Sequence, residues 1–375
     1  MTKEINDILK AYCESKASGK KTALATVVKV EGSSYRQPGA RMLVTEDGFL
    51  TGAISGGCLE GDALRKALLS INQQQNKLIT YNTTNEDDKE VGLQLGCNGI
   101  VHILFEYIDD TAINNPMLLL KQLELDRKEA VIGTGFSLKR HAIQHGTTFF
   151  YRDDALFVHQ NDFALNLVSD IKAVRDSKTT IVKNLHDPEQ NEVLIDYIPL
   201  QASLVIAGAG NDVQPLVKMA SLLGWDVTVI DGRATHAINN RFPEAQSVFI
   251  SKPEHFLESC PEPDSQTYFV LMTHNYKYDV SVLKLLLKAN THYIGILGPK
   301  SKLNRMFDDL HNEGIDISEE QLNRIYGPIG LDIGAETSEE IALSIVAEIK
   351  AVMSGKNGTS LKYKTGTIHN KIQIV

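Results

Sequence analysis

Cysteine is scarce in this chain: four occur, at Cys13, Cys58, Cys97 and Cys260, and none stands in a Cys-x-x-Cys pair. That excludes a zinc ribbon and a thioredoxin-type dithiol. The opening stretch, MTKEINDILKAYCESKASGK, carries early acids and no continuous apolar segment, so it does not read as a secretory leader. A reducing cytoplasm is the expected compartment, and there the thiols stay free. No apolar run approaches the about 18 residues of a membrane span. Positive charge is also in deficit: a net charge of −9 argues against general attraction to nucleic acid or to an anionic membrane, while leaving local basic sites open. There is no defensible Ser-His-Asp arrangement, no P-loop, no His and carboxylate cluster at metal-ligand spacing, and no internal repeat. Binding groups outnumber evident catalysts, and no catalytic residue is assigned.

What is present fits an ordinary globular protein, and 375 residues are long for one hydrophobic core, so two domains are expected. Ile5, Ile8, Leu9 and Tyr12 recur at helical spacing, residues 22–30 are rich in β-branched side chains, and residues 59–72 turn helical again. Strand-like runs follow at 100–107 and repeatedly from 131 to 182. The polar stretch 184–201, with two prolines, reads as the junction, placing an N-terminal α+β domain over residues 1–195. From Leu204 the pattern changes to short apolar runs alternating with helical segments, the mark of a parallel sheet covered on both faces. The fold class is therefore α/β, with a C-terminal Rossmann-like, doubly wound parallel sheet over residues 196–353. Its last helix opens with Thr337 and Glu340 at capping-box spacing. Residues 354–375 form a basic tail with Lys356, Lys362, Lys364 and Lys371 and no acid, whose last residues could add a strand.

Three constellations carry possible chemistry. The first spans residues 32–62. A loop holding Arg36 and Arg41 around Pro38-Gly39 precedes a hairpin through Asp47-Gly48, a strong turn signal, and the hairpin would bring that loop to Ser55-Gly56-Gly57-Cys58. The guanidinium groups suit phosphate, although a solvated surface turn reads equally well. Cys58, after Gly56 and Gly57, stands just before a helix start and has three readings: a small buried residue filling space among glycines, a thiolate ligand to a soft metal or cofactor, or a nucleophile or sulfur acceptor. The second constellation is Gly96-Cys97-Asn98-Gly99, a similar glycine setting without the helix. The third opens the second domain. Gly208-Ala209-Gly210 follows a strand and precedes a helix, and Asp231 ends the next strand, as in a dinucleotide-binding turn. Val213 stands where such turns prefer a third small residue. His274 lies at the carboxyl edge of the sheet, where ligands of doubly wound folds bind. From these residues alone, an NAD(P)-dependent oxidoreductase is the rival reading to a binding protein.

The segments GSSYRQPGARM, SGGCLEGD and GCNG in the first domain resemble the xanthine dehydrogenase accessory factors of the XdhC/CoxI type, as do MTHNYKYD, YIGILGPKSK and PIGLDIGAETSEEIALSIVAEI in the second. The likeness covers most of residues 20–353 in the family's order. It implies a protein that binds molybdenum cofactor, protects it while a terminal sulfido ligand is installed, and helps insert it into a xanthine dehydrogenase-type apoenzyme. A partner cysteine desulfurase would supply the sulfur, and a homodimer is expected. On that resemblance Cys58, with Cys97, would meet the metal end of the cofactor, and Arg36, Arg41 and the glycine backbone would hold its phosphate end. The chain departs from the family's pattern at Asn211, where His is usual, and at Val213, which puts nucleotide binding in doubt.

Overall fold

The computed structural model describes residues 2–82, 99–112, 115–124, 127–158, 162–366, 368 and 372–375, in two compact units. Met1–Leu200 and His369–Val375 form the first, and Gln201–Ile368 the second.

The first unit is a sandwich of two sheets with helices outside. Helix α1 (Thr2–Ala17) leads into β1 (Thr22–Gly32), β2 (Arg41–Thr45), β3 (Leu50–Gly52), α2 (Glu60–Gln73), β4 (Lys77–Asn82) and β5 (Gly99–Tyr107). These strands make one antiparallel sheet in the order β3-β2-β1-β5-β4. Then come α3 (Pro116–Lys121), β6 (Ala130–Ser137), β7 (Gly146–Arg152), β8 (Ala155–Val158), α4 (Val168–Ser177), β9 (Ile181–Asn184) and β10 (Asn191–Ile198). The second sheet runs β9-β10-β6-β7-β8, and the C-terminal pair Gln373–Ile374 extends it in parallel along β9. By contrast, residues 354–366 are exposed throughout.

Strand alternation sends the side chains of β1 to two places. Ala23, Ala25 and Val27 pack under α2 with Ala63, Ala67 and Ile71. Leu24 and Val28 face the other sheet, Leu24 clustering with Ile132 and Phe150, and Val28 with Phe136 and Leu194, beside Leu104 of its own sheet. A polar layer separates those two apolar clusters. Arg41 (1% exposed) donates at 2.9 Å to Asp196 (0% exposed), which also accepts from the Thr180 hydroxyl at 3.0 Å. Glu106 accepts from the Thr147 amide at 2.6 Å and from its hydroxyl at 3.0 Å. A register shift between Val27 and Lys29 places Lys29 opposite His102, and its ammonium reaches both oxygens of the buried Glu192 at 2.8 Å.

This layer corrects two expectations. The boundary between the two units, after Leu200, falls within the stretch 184–201, but most of that stretch is not a polar linker. It contains β10, buried between β9 and β6, and its acids Glu192 and Asp196 point inward to cationic partners. Helix α4, a helix in the stretch 131–182 where strands were expected to recur, covers the outer face with Ile171 and Val174 against Val193 and Ile195.

The second unit opens with β11 (Ser203–Ala207), α5 (Val213–Leu222), β12 (Asp226–Asp231) and β13 (Ser247–Ile250). After β14 (Thr267–Leu271) come α6 (Tyr276–Leu286), β15 (Tyr293–Ile296), α7 (Lys300–Asn312), α8 (Glu319–Leu322), β16 (Ile325–Tyr326) and α9 (Ser338–Met353). All its strands are parallel, in the order β13-β12-β11-β14-β15-β16. The order in which strands are added therefore reverses between β11 and β14, which makes their carboxyl ends the switch point of a doubly wound sheet. Helices α5 and α9 cover one face and α6 and α7 the other. Thr337 and Glu340 form the expected capping box. Among the described residues, no helix is long and apolar enough to cross a membrane.

Candidate functional site

In the first unit the hairpin forms as expected. Met42, Leu43 and Val44 pair with Gly52, Thr51 and Leu50, and Gly48 turns with φ +89°. The chain leaving β3 then runs directly into the cysteine loop. Here Ser55 is the organiser. Its amide donates at 3.0 Å to Glu60, its hydroxyl donates to the same carboxylate, and that hydroxyl accepts from the amides of Gly57 at 3.2 Å and Leu59 at 3.1 Å. Two orphan amides at the start of α2 are satisfied in this way. Cys58 is half-buried, and its thiol lies 3.8 Å from the Ser55 hydroxyl. Gly56 and Gly57 are exposed, and Gly57 needs its positive φ of +103°.

The arginine loop does reach this place, through an aromatic ring. Tyr35, 65% exposed, lies over Gly56 so closely that a Cβ there would be 3.3 Å from the ring. Gly99 packs its backbone on Ser33, since a Cβ at Gly99 would meet the Ser33 carbonyl at 2.4 Å. Cys97 lies outside the described residues. The two arginines part company. Arg36 stays partly exposed and donates at 2.6 Å to Glu4 of α1, which also accepts from the Ala53 amide at 3.1 Å. Arg41, expected in a phosphate-facing loop, is instead sealed between the sheets on Asp196 and the Gly39 carbonyl. Of the other described thiols, Cys13 is exposed on α1, and burial pushes the Cys260 thiol up to about 12.

Ser55 and Glu60 gained no role from the sequence pattern, although both sit in the motif around Cys58. Their five-residue separation across two glycines was the signal that could have found them.

In the second unit, Gly208 takes φ +128°, and a Cβ there would lie 2.4 Å from the Met272 carbonyl. Gly210 leaves room for the Asp212 carboxylate, which a Cβ would meet at 2.2 Å. The other oxygen of Asp212 bonds His274 Nε2 at 2.7 Å, and His274 holds a left-handed φ of +58°. Asp231 is fully engaged by the Ala209 amide at 2.8 Å and by Arg233 at 2.9 and 2.6 Å. Burial opposes its ionisation, but the Arg233 guanidinium and the two backbone amides outweigh that and hold the carboxyl below its ordinary range. Arg241 donates to the Ala209 and His236 carbonyls at 2.7 Å and to Asn211 at 2.8 Å. Lys302, from the GPKSK turn, pairs at 2.6 Å with the buried Asp279, which also accepts from Thr273. Among the described residues, no group of three or more His, Cys, Asp or Glu side chains is placed to hold a metal ion.

A sheet sandwich presenting a glycine-flanked cysteine, joined in one chain to a Rossmann unit, is the class these features define. Residues 15–82 match the XdhC and CoxI family, and residues 204–349 match the XdhC Rossmann domain. The chain is 32% identical over 330 residues to a probable xanthine dehydrogenase subunit of Bacillus subtilis (strain 168), covering 87% of this chain and 91% of that one. It is 24% identical over 353 residues to the molybdenum cofactor insertion chaperone PaoD of Escherichia coli (strain K12), covering 94% and 90%. A crystal structure of a xanthine dehydrogenase from Bacillus halodurans superposes with a TM-score of 0.73 at 28% identity, over 94% of this chain and 97% of that one. The chain belongs to the XdhC and CoxI family.

Proposed function

We propose that this chain is a maturation factor that binds molybdenum cofactor, guards it during sulfuration and delivers it to a xanthine dehydrogenase-type molybdenum hydroxylase, without turnover of its own. The observation that carries the reading is the cysteine loop: a half-exposed thiol beside exposed glycines at a helix start, ordered by Ser55 and Glu60. A soft thiolate suits the metal end of such a cofactor. In this reading Cys58 is the molybdenum ligand, Gly56 and Gly57 let the backbone approach the cargo, and Tyr35 shields it on one side. Arg36 would release Glu4 to take the phosphate end, Cys97 would supply a second thiol, and Arg41 would support the loop from beneath. The relative named as a molybdenum cofactor insertion chaperone supports the same assignment. Sulfur would come from a partner cysteine desulfurase, the acceptor would be the apo-hydroxylase, and the working form would be a cytoplasmic homodimer.

Reconstitution tests this. Apo-hydroxylase given sulfurated cofactor at limiting concentration should gain activity faster and to a higher plateau when this chain carries the cofactor. Equal rates with and without the chain would remove the delivery role.

A further inference from the structure

We infer that the Rossmann crevice is closed from within: the chain's own side chains stand at the positions a dinucleotide would use, so the unit carries no nucleotide unless that closure is undone. In a doubly wound sheet a dinucleotide needs three things at the switch point: a glycine turn its pyrophosphate can approach, a helix N-terminus free to take the charge, and an acid free to bind a ribose hydroxyl. Each is already engaged here. Gly208 packs on the Met272 carbonyl, the tight-turn role of the first glycine in this fold, so the closure rests on the second glycine, Gly210. The Asp212 carboxylate folds back over Gly210 at the start of α5, bringing negative charge to the place a pyrophosphate would occupy. It is fixed there by His274, so this pair bridges the turn after β11 to the turn after β14. Asp231 has both oxygens committed to Arg233 and to backbone amides. Arg241 straps the same turn through the Ala209 carbonyl and Asn211.

These contacts are mutually supporting. An entering pyrophosphate must displace a carboxylate that stays tethered beside its seat, and it loses the favourable helix-end charge while the two anions coexist. A ribose must likewise break a two-point guanidinium–carboxylate pair before Asp231 can accept its hydroxyls. Asn211 and Val213 belong to the same picture: Asn211 is a partner of Arg241, and Val213 is fully buried in the core under α5.

The test uses the intact chain, with NADH and NADPH as probes followed by nucleotide fluorescence and calorimetry. Wild type should show no saturable binding up to about 1 mM. The double variant Asp212→Asn with Arg233→Ser removes the charge at the turn and frees Asp231, and should bind at least about tenfold more tightly than wild type. Trp225, the chain's single tryptophan, lies in this unit and reports whether the variant is folded. If the double variant fails to fold, Asp212→Asn alone, at a partly exposed position, should still give a smaller gain. Saturable wild-type binding with Kd below about 1 mM overturns the proposal, and so does a folded variant that binds no better than wild type. The inference is independent of the cofactor reading, since Cys58→Ala should leave every nucleotide curve unchanged.

Discussion

Each unit carries a glycine-rich turn that leads from a strand into a helix, and the two turns treat their surroundings in opposite ways. At Gly56-Gly57-Cys58 the polar work is done underneath: Ser55 and Glu60 satisfy the amides, the glycines are left exposed, and the thiol is half-buried against the apolar cluster under α2. At Gly208-Ala209-Gly210 the polar work is done on top, where Asp212, Arg233 and Arg241 cover the turn. A glycine motif therefore says that backbone comes close to something. Whether that something is a ligand or the protein itself is decided by side chains that the motif does not contain.

The largest effect should come from breaking the support beneath the first turn. Arg41→Ala strips the buried Asp196 of its guanidinium partner at a site where burial already raises the carboxyl, and loss of one partner of a buried pair costs about 3–5 kcal/mol. Arg36→Ala, at a partly exposed ion pair, should cost at most about 1 kcal/mol. Denaturant unfolding followed by circular dichroism reports both units and Trp225 fluorescence the second alone, so the loss should appear in the former while Trp225 fluorescence barely moves in either variant. Equal costs would mean that the two arginines do not differ as their burial implies.

Next comes the pH dependence of the same layer. Burial raises Glu106 to about 7, opposed by the Thr147 hydrogen bonds and by Arg41. A carboxyl raised in the folded state ionises first in the unfolded chain. Stability is therefore highest below the unfolded value near 4.5 and falls as pH rises through about 7. Glu106→Gln abolishes that slope. At pH 8 it should be more stable than wild type by on the order of 3 kcal/mol, with the difference vanishing in acid. A difference that does not change with pH would show that Glu106 does not titrate in this range.

In the second unit, Gly208→Ala forces a Cβ onto the Met272 carbonyl at a φ that only glycine holds easily, and should cost roughly 1–3 kcal/mol by Trp225 fluorescence. A neutral result would show slack at the switch point. Smallest is Thr337→Ala, which removes one half of the capping box of α9 for about 1 kcal/mol. Because Thr337 is remote in sequence from the crevice residues, this variant calibrates what a loss of stability alone does to nucleotide titrations.

The sequence was most legible where one signal sufficed. Strands β11 and β14 are short apolar runs because both their faces are buried, and Asp47-Gly48 announced its hairpin. Strand β10 was hidden because two of its inward positions, Glu192 and Asp196, are acids whose partners Lys29 and Arg41 lie 163 and 155 residues away. The same separation made Arg41 look like a loop residue. In the second unit Gly208, Gly210 and Asp231 were found readily. Their engagement by Arg233, Arg241 and Asp212 depends on side-chain direction, which no spacing rule reports.

The contrast between the two turns meets its most direct test in one binding measurement: purified chain titrated with molybdenum cofactor, comparing wild type, Cys58→Ala and Asp212→Asn. Wild type and Asp212→Asn should bind stoichiometrically and alike, and Cys58→Ala should lose at least about tenfold in affinity with its unfolding midpoint unchanged. Full affinity retained by Cys58→Ala would contradict the assignment of the cargo to the cysteine loop.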